Sequence, residues 1–381
     1  MQSAGIYFHI PFCRAKCNYC DFYSVVDQDD NIAKFIESMI LEIDRFKLDT
    51  SDWEFNSIYI GGGTPNMLNA FYIEKIISSL DKKYDLSKIK EFSIEVNPGE
   101  TTVDQLLNYR SLGINRLSIG VQSFDSRVLK FLTRTHNSNQ VYEVFENARA
   151  ADFENINCDL IYCIPGQTLK SWEQDLKKVI NIEPDHISAY TLIVEKGTEL
   201  YQFKKMGKIK MPDENITSEL FITTHEILKE NNYLYYEMSH FAKNGKECLH
   251  NLNYWRINPY LAFGPSAHGF DGKGRWNNLN SIDLYLKNIK DNKSVISQKE
   301  SLSNTQLLNE MIGFGLKMCE GFDISLFSGN NIIEMQNKIT NVLNNYPYCL
   351  KSVGSRFRLT RKGMLFADTI ISELMLDEDH L

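Results

Sequence analysis

The stretch HIPFCRAKCNYC, residues 9–20, contains three cysteines, Cys13, Cys17 and Cys20, in the spacing C-x3-C-x2-C. Thiolates this close together can surround one metal centre, and soft thiolate ligands select zinc or iron–sulfur. Zinc modules usually draw four ligands from two separated pairs, so this spacing is too tight for a typical zinc module. A [4Fe–4S] cluster normally takes four thiolates. Three thiolates would leave one iron open, so the run predicts a cluster that can bind a further molecule.

Two other interpretations of the three cysteines compete with the cluster. Buried cysteines can pack as small apolar side chains, but the neighbours Arg14, Lys16, Asn18 and Asp21 suit an exposed loop. A zinc ion completed by a distant ligand is the better competitor. The later segment Gly61-Gly62-Gly63-Thr64-Pro65 does not help a zinc site. Its glycines would let backbone atoms approach a bound ligand closely, although a tight strand-to-helix turn is the simpler explanation of such a segment.

Composition narrows the class of protein. The chain has 381 residues, 43% hydrophobic residues and a formal net charge of −8. The length suggests two or three domains, and the negative charge argues against a broad nucleic-acid surface. Eight cysteines in so long a chain do not form a disulfide scaffold, and clustered thiolates need a reducing compartment. We find no secretory leader and no apolar stretch long enough to cross a bilayer, so we expect a cytoplasmic protein.

The first half of the chain alternates strand-like and helix-like segments. The strand candidates are short and bounded by turn residues: Gly5–Ile10, Ser57–Ile60, Glu91–Val96, Arg116–Val121, Asn155–Ile164 and His186–Ile193. The helix candidates repeat apolar residues at helical spacing: Ile32–Phe46, Tyr72–Leu80, Thr102–Tyr109, Gln140–Ala150 and Leu169–Ile180. This alternation predicts a parallel sheet. The pattern alone fits both a partial α/β barrel and a flat doubly wound sheet.

The chemically interesting residues follow the carboxyl ends of these strands, where α/β barrels place their active sites. The cysteine loop follows the first strand and the glycine segment follows the second. Glu95 and Asn97 end the third strand, Gln122 ends the fourth, and Asp159 lies within the fifth. We therefore expect these residues to meet at one edge of the sheet.

From about Glu195 the alternation stops, and we divide the chain into residues 1–200, 201–300 and 301–381. The first part is the partial barrel, and the second is a mixed α+β extension with a helix at Ser218–Glu230. The third is a small unit in which helices precede a hairpin, an order typical of winged helices: Thr305–Lys317, Ile332–Asn344, the hairpin Cys349–Leu359 and Lys362–Leu376. This unit has more acidic than basic residues, so we prefer a structural or interaction role to nucleic-acid binding.

The cysteine run and the glycine segment together resemble the radical S-adenosylmethionine (SAM) superfamily. The resemblance implies an incomplete (β/α)6 barrel in which SAM binds the open iron through its amino and carboxylate groups. It also implies that an electron from the cluster can split SAM into methionine and a 5′-deoxyadenosyl radical. The segments around Glu95, Gln122, Arg134 and Asp159 are similar to the coproporphyrinogen oxidase-like branch of the superfamily. That similarity implies these SAM contacts: Tyr7, Tyr19, Gly62, Gly63, Thr64, Glu95, Gln122, Arg134 and Asp159. A buried ion pair is the plainer alternative for Arg134 and Asp159.

The chain departs from the decarboxylating members of that branch in two places. Those members carry a further cysteine two residues after the third ligand, where this sequence has Phe22, and they have an extended N-terminal arm, where this sequence has only a few residues. Both departures argue against the oxidase activity.

The segment His250-Asn251-Leu252-Asn253-Tyr254-Trp255 resembles the H-N-x-x-Y-W motif of the HemW family of heme chaperones. The resemblance implies heme contacts at His250, Asn251, Tyr254 and Trp255. An imidazole can be an axial ligand of heme iron, and the aromatic rings offer flat apolar faces. A packed aromatic loop with a hydrogen-bonded histidine is the alternative, and Cys248 is a weaker ligand candidate.

Three functions follow from these observations. The preferred one is a heme chaperone that carries a [4Fe–4S] cluster and SAM, and that needs a recipient hemoprotein and an electron donor; a homodimer is left open. The leading alternative is an oxygen-independent coproporphyrinogen III dehydrogenase of porphyrin biosynthesis. The third, a radical SAM protein that modifies nucleic acid, is disfavoured by the charge.

Overall fold

The computed structural model describes residues 1–26 and 28–377 of the chain. Twelve strands of this part form one sheet. They are β1 (Gln2–Ile10), β2 (Trp53–Gly62), β3 (Glu91–Val96), β4 (Arg116–Gln122), β5 (Ile156–Tyr162), β6 (His186–Thr191), β7 (Leu234–Tyr235), β8 (His240–Ala242), β9 (Tyr260–Phe263), β10 (His268–Phe270), β11 (Gly274–Asn278) and β12 (Ile296–Ser301). A second, three-stranded sheet consists of β13 (Phe322–Asp323), β14 (Leu350–Val353) and β15 (Arg356–Leu359).

The central strands β1–β6 lie side by side in chain order, and each pairs in parallel with the next. A doubly wound sheet would reverse its order at a switch point. Here every crossover runs in the same direction, which places the connecting helices on one face of the sheet. The sheet does not close, because β12 and β7 stand at its two ends. The prediction of an incomplete α/β barrel is confirmed, and the flat doubly wound alternative is wrong.

Further strands extend both edges of this sheet. On the β1 side, β9 pairs with β1 in parallel, and β10, β11 and β12 continue in antiparallel order. On the β6 side, the antiparallel strands β8 and β7 follow. Residues 201–300 therefore contribute strands to the same sheet as the barrel. The division of the chain at residues 200 and 300 stays a prediction.

The helices of the first half pack their apolar faces against the barrel strands. They are α1 (Ile32–Arg45), α2 (Ala70–Asp81), α3 (Val103–Ser111), α4 (Ser126–Phe131), α5 (Ser138–Ala150) and α6 (Leu169–Asn181). In α1 the residues Phe35, Ile36, Met39 and Ile43 are all buried, as their helical spacing predicts. Local capping fixes the starts: Asn137 and Thr168 each form a capping box with the residue three positions later.

The second half contributes α7 (Glu199–Lys205), α8 (Glu214–Glu230), α9 (Leu249–Trp255), α10 (Ile282–Lys290), α11 (Asn304–Lys317), α12 (Asn330–Asn345), α13 (Arg361–Met364) and α14 (Ala367–Leu374). In the described part of the chain, none of the helices is long and apolar enough to cross a membrane.

The prediction of one last helix over Lys362–Leu376 is wrong, because the structure divides it into α13 and α14. Phe366, between them, has non-helical backbone angles, φ −116° and ψ 20°. Gly363 in α13 lies so close to the hairpin that a Cβ there would fall 1.9 Å from the carbonyl oxygen of Cys349. The contact with the hairpin therefore fixes the position of α13, and the chain bends at Phe366 before α14 begins.

The C-terminal segment has a hydrophobic core of its own, formed by α11, α12, α14 and the small sheet. The segment is joined to the main sheet at the loop before β8. Met238 N donates to the carbonyl of Lys317, and Cys319 N donates to the carbonyl of Tyr236. The hairpin predicted around Gly354 is present as β14 and β15. Residues 378–381 of the predicted third domain lie outside the described residues.

Candidate functional site

A cavity of about 570 Å³ opens at the carboxyl ends of β2–β6. Its wall contains most of the residues that the sequence predicted to converge: Tyr19, Cys20, Gly62, Gly63, Thr64, Glu95, Gln122, Arg134 and Asp159. Parallel strands in chain order bring their carboxyl ends to one edge, so the strand positions of these residues explain the clustering.

The cysteine loop runs along one side of this cavity and is held by the end of α4, by Thr133 just after it, and by the start of α7. Asn18 donates through its backbone N to Thr133 Oγ1 at 2.9 Å, and through its side chain to the carbonyl of Phe131 at 2.7 Å. The carbonyl of Asn18 accepts from Leu200 N at 2.9 Å. The loop is thus tied to two other segments of the cavity rim, although it has no regular secondary structure.

The three thiols are free and half-buried. Thr64 Oγ1 donates to Cys13 Sγ at 3.5 Å, and Arg134 Nη1 donates to Cys17 Sγ at 3.7 Å. Cys20 lines the cavity itself. Hydrogen bonds and a guanidinium charge directed at sulfur stabilise thiolates. The donor set fits a group that binds through three thiolate sulfurs.

Burial raises the pKa of Cys13, and it raises the pKa of Cys20 to about 11. These thiols therefore hold their protons unless a metal displaces them. Among the described residues, no three histidine, cysteine or acidic side chains are close enough to hold a single metal ion.

The glycine segment packs against the cysteine loop with no room for side chains. Gly63 N donates to the carbonyl of Ile10 at 2.7 Å, and Thr64 N donates to the carbonyl of Phe12 at 2.7 Å. A Cβ on Gly63 would lie 2.6 Å from the carbonyl oxygen of Phe12 and 2.9 Å from Cys13 Sγ. Gly62 has φ +118°, which a residue with a side chain rarely adopts. The close approach of β2 to the cysteine loop therefore requires glycine at both positions.

Glu95 and Asp159 are two of the four carboxylates on the cavity wall, the others being Asp21 and Glu195. Glu95 accepts hydrogen bonds from Tyr59 Oη and from Gly62 N, both at 3.0 Å. Burial, and then the nearby charge of Asp159, raise the pKa of Glu95 to about 7. Asp159 accepts from Ser118 Oγ at 2.9 Å and from Asn157 Nδ2 at 2.8 Å. Such a pair favours a cationic ligand, because a positive charge would stabilise both ionised carboxylates.

Arg134 lies on the wall between the cysteine loop and β4. Its Nη2 donates to Asn97 Oδ1 at 2.6 Å and to the carbonyl of Gly120 at 2.8 Å. Its buried Nε has no hydrogen-bond partner among the described residues. The hydrogen bonds of Arg134 and Asp159 go to other partners, so the two do not form the buried ion pair that was the alternative. A buried guanidinium with an unused donor fits an anionic group such as a carboxylate.

Tyr7 is the member of the predicted SAM set that does not line the cavity. Its hydroxyl lies 3.1 Å from His9 Nδ1, and its ring stacks on Tyr59 and on His250. It therefore lies behind the cavity wall, in contact with residues that form the wall.

The motif at residues 250–255 lies on α9, a short helix that sequence reasoning missed. Glu91, at the start of β3, accepts hydrogen bonds from the backbone N of Leu249 at 2.9 Å and of His250 at 3.1 Å. These are N–H groups of the first helical turn, which need an acceptor. Because the acceptor comes from a distant strand, no local capping residue signals the helix.

The four predicted heme contacts point in different directions from α9. His250 is 1% exposed; its Nδ1 lies 3.0 Å from Ser57 Oγ and its Nε2 lies 2.7 Å from Tyr254 Oη. Asn251 lines the cavity. Trp255 packs edge to face against Phe314 of the C-terminal segment. Burial lowers the pKa of His250 to about 3, so its ring is neutral.

Cys248, the weaker candidate, is fully buried and lies 3.3 Å from Glu91 Oε1, to which its thiol donates. Burial raises the pKa of Cys248 to about 12. It therefore acts as a neutral hydrogen-bond donor beneath the site.

Several polar residues of the cavity were not predicted: Arg116, Ser118, Asn157, Ser188 and Tyr190. They occupy alternate positions on β4, β5 and β6, as side chains on one face of a strand must. Polar residues two apart in otherwise apolar strands were a signal that could have revealed them. The mouth of the cavity also carries two exposed apolar side chains, Phe22 at 68% and Ile193 at 66% exposure.

Comparison with known proteins agrees with this geometry. Residues 7–179 match the profile of the Radical SAM superfamily. The chain is 32% identical over 376 residues to the heme chaperone HemW of Lactococcus lactis, covering 98% of this chain and 97% of that protein. It is 32% identical over 329 residues to the heme chaperone HemW of Bacillus subtilis, covering 86% of each.

Among solved structures, the coproporphyrinogen III oxidase HemN from Escherichia coli, described as a radical SAM enzyme, aligns with a TM-score of 0.83. The alignment covers 98% of this chain and 90% of that one, at 23% sequence identity. At that identity the match shows a shared fold.

Proposed function

We propose that this chain, which belongs to the HemW family of the radical SAM superfamily, is a heme chaperone that binds heme and passes it to hemoproteins. The observation that carries the proposal is the match to a heme chaperone of Lactococcus lactis over nearly the whole length of both chains. The cavity supports it, because its mouth is apolar at Phe22 and Ile193 while its interior carries polar and charged side chains. A porphyrin likewise combines apolar and polar parts: the face of its ring is apolar, whereas its iron centre and its propionates are charged.

In this proposal Cys13, Cys17 and Cys20 hold a [4Fe–4S] cluster, and SAM binds at its open iron. A cluster bound there would supply the electron for cleavage of SAM. Glu95 and Asp159 would receive the positive charge of SAM, since both are carboxylates of the cavity wall and the charge of Asp159 acts on Glu95. Arg134, with its unused Nε, would receive the carboxylate. Gly62, Gly63, Thr64, Gln122 and Tyr19 would shape the pocket, and Tyr7 would support it from behind.

The H-N-x-x-Y-W segment would contribute to heme binding in two ways. Asn251 faces the cavity directly. His250 supports Tyr59, since their ring centroids lie 5.2 Å apart, and Tyr254 Oη lies 2.7 Å from His250 Nε2. The axial role of His250 stays a prediction, and it requires the ring to leave one of its two hydrogen bonds.

The alternative function is an oxygen-independent coproporphyrinogen III dehydrogenase. The oxidase of Escherichia coli has the same fold over nearly the whole chain, and this shared fold is the observation that favours the alternative. Phe22 argues against it, because those enzymes carry a cysteine at that position and this side chain is instead an exposed apolar group at the cavity mouth.

The proposal includes partners and a compartment. A recipient hemoprotein takes the heme, an electron donor reduces the cluster, and a second copy of the chain can form a homodimer. We place the function in the cytoplasm, because free thiols and an iron–sulfur cluster need a reducing environment. We assign it to porphyrin metabolism, because the proposed cargo is heme.

A first experiment tests the cluster. Protein reconstituted without oxygen should contain about four irons per chain, and Cys17→Ala should lose them because one thiolate is missing. Cys349→Ala is the matched control, since Cys349 is buried in the C-terminal core. A normal iron content in Cys17→Ala, or stoichiometric zinc in the native protein, would contradict the assignment.

A second experiment tests heme transfer. Protein loaded with hemin is mixed with an apo-hemoprotein, and the absorbance of the holo-acceptor is followed. We expect transfer to proceed to completion, and we expect His250→Ala and Trp255→Ala to bind hemin more weakly. Failure of the wild-type protein to bind or release hemin would reject the chaperone function.

A further inference from the structure

Tyr190 ends a short chain of buried polar groups that leads into the cavity. Its hydroxyl lies 2.7 Å from His240 Nε2, and His240 Nδ1 lies 2.8 Å from Glu237 Oε1. His240 and Glu237 are 5% and 3% exposed, whereas Tyr190 is 40% exposed and lines the cavity. A phenol, an imidazole and a carboxylate are therefore aligned from the cavity wall toward the interior.

The fold positions these groups firmly. Tyr190 lies on β6 and His240 on β8, which pair in antiparallel register with Ser188 opposite His240. Tyr190 is two residues beyond Ser188 and so lies on the same face, diagonal to His240. Glu237 is fixed by the bridge between its backbone and Met318, and its Oε1 also accepts from Ser239 N at 3.0 Å.

We propose that the phenolate oxygen of Tyr190 is the protein ligand of ferric heme iron, and that His240 accepts the phenol proton when the bond forms. This inference rests on the proposed heme chaperone function. Tyrosine is an established axial ligand of heme iron. The proposal assigns the ligand to a side chain that reaches the cavity, in contrast to His250, which is 1% exposed.

The step balances within the chain. The O–H bond of Tyr190 breaks as the bond from its oxygen to ferric iron forms, and the iron keeps its oxidation state. The proton moves to His240 Nε2, and the resulting imidazolium lies at ion-pair distance from the buried carboxylate of Glu237. A charged imidazolium needs such a partner in a buried position.

The surroundings of Tyr190 suit a flat apolar ligand. Leu192 and Ile193 follow it in the chain and line the same cavity, together with Phe22 and Ile161. A porphyrin whose iron lies at Tyr190 could cover the exposed side chains of Phe22 and Ile193. Its burial there would remove two large apolar groups from water, which favours binding.

The test compares hemin complexes of three proteins by resonance Raman spectroscopy and by absorbance titration. Wild type should show the vibrations of an iron-bound tyrosinate. Tyr190→Phe should lose these vibrations and bind hemin at least ~10-fold more weakly, about 1.4 kcal/mol. Tyr348→Phe is the matched control, because Tyr348 is 82% exposed on the C-terminal segment, and it should match wild type. An unchanged iron content of the cluster in Tyr190→Phe shows that the variant is folded.

His240 is tested as a positioning residue. In His240→Gln the phenol has lost its proton acceptor, so the tyrosinate vibrations should appear only at higher pH than in wild type. Tyrosinate vibrations that persist in Tyr190→Phe, or a hemin complex that is abolished by His250→Ala with Tyr190→Phe unaffected, would overturn the assignment. Absence of saturable hemin binding by the wild type would instead reject the proposed function itself, and the assignment with it.

Discussion

Gly63, a residue without a side chain, packs against the cysteine loop that forms the proposed cluster site. Its backbone lies against the cysteine loop so closely that a Cβ would collide with the carbonyl oxygen of Phe12 and with Cys13 Sγ. Overpacking of this kind costs about 1–3 kcal/mol or displaces the backbone. Gly63→Ala should therefore move the Cys13 sulfur and reduce cluster incorporation, which iron analysis after anaerobic reconstitution will measure.

Gly313→Ala is the control for that change. Gly313 lies in α11, where the nearest atom to an added Cβ, Ile371 Cγ2, is at an ordinary contact distance of 3.7 Å. It should keep the full iron content. Equal cluster loading in both variants would show that the close approach at Gly63 does not position the thiols.

The raised pKa of Glu95 predicts that SAM binding depends on pH. Its pKa of about 7 means that the carboxyl is neutral below that pH and ionised above it, and only the ionised form attracts a cation. SAM affinity should therefore rise from about pH 6 to about pH 8 and then level off. Calorimetric titration across this range measures it. In Glu95→Gln the affinity should be weaker at the upper end and should no longer rise; an equally steep rise in that variant would exclude Glu95 as the titrating group.

The same raised pKa has a consequence for stability without ligand. The pKa of Glu95 in the folded protein lies above its unfolded value, so the folded state binds the proton more tightly. The protonated form of Glu95 therefore stabilises the folded state. This contribution is complete below the unfolded pKa and is lost as the pH rises through about 7. Above about pH 7 the folded protein therefore loses this contribution to its stability, and the ionised carboxylate of Glu95 is available to bind a cation.

At the residue scale, most of the candidate site residues could be predicted from short sequence motifs. The cysteines, the glycines, Glu95 and Asp159 stand at strand ends, and a strand end has a known location in this type of sheet. The burial of His250 had no comparable signal, because it depends on Ser57 and Glu91, which lie far away in the sequence.

At the scale of elements, the short helix α9 depends on a buried charge pair beneath it. Glu91 caps α9 and lies 4.0 Å from Arg116, and both side chains are nearly inaccessible. Glu91→Ala should destabilise the protein by about 3–5 kcal/mol, because it leaves a buried guanidinium unpaired and removes the helix cap. Chemical denaturation of the cluster-free protein followed by circular dichroism measures the loss.

The exposed ion pair of Glu226 with Arg361 offers the comparison. The two side chains are 53% and 42% exposed and their charged atoms lie 3.0 Å apart. Glu226→Ala should cost only about 0–1 kcal/mol. Similar losses in the two variants would mean that the Glu91 contacts contribute little to holding α9.

The elements themselves were predictable where periodicity or capping is local. The strand Glu91–Val96 was predicted with its observed bounds, and α1 and α6 were correct to within one residue at each end. The helix α9 was missed because its cap comes from β3. The last helix was wrong because Gly363 packs on the hairpin, a contact that no local pattern records.

At the scale of the whole molecule, the order of strands places one cavity at one edge of the sheet. The parallel strands β2–β6 direct their carboxyl ends toward it, and β8, from residues 201–300, supports the wall behind β6 through the contact of His240 with Tyr190. Sequence alternation predicted the parallel sheet. It could not predict that β9 pairs with β1, because pairing between strands that are far apart in the sequence produces no periodic sequence pattern.

The measurement that tests the central claim most directly offers both candidate ligands to the same reconstituted protein. With coproporphyrinogen III, SAM and a reductant, we predict no protoporphyrinogen IX on chromatography, because this chain has Phe22 where the resemblance to the decarboxylating branch implies a cysteine. With hemin, we predict saturable binding of one heme per chain by absorbance titration. Formation of protoporphyrinogen over several turnovers, with no saturable binding of hemin, would contradict the account and identify the chain as a dehydrogenase.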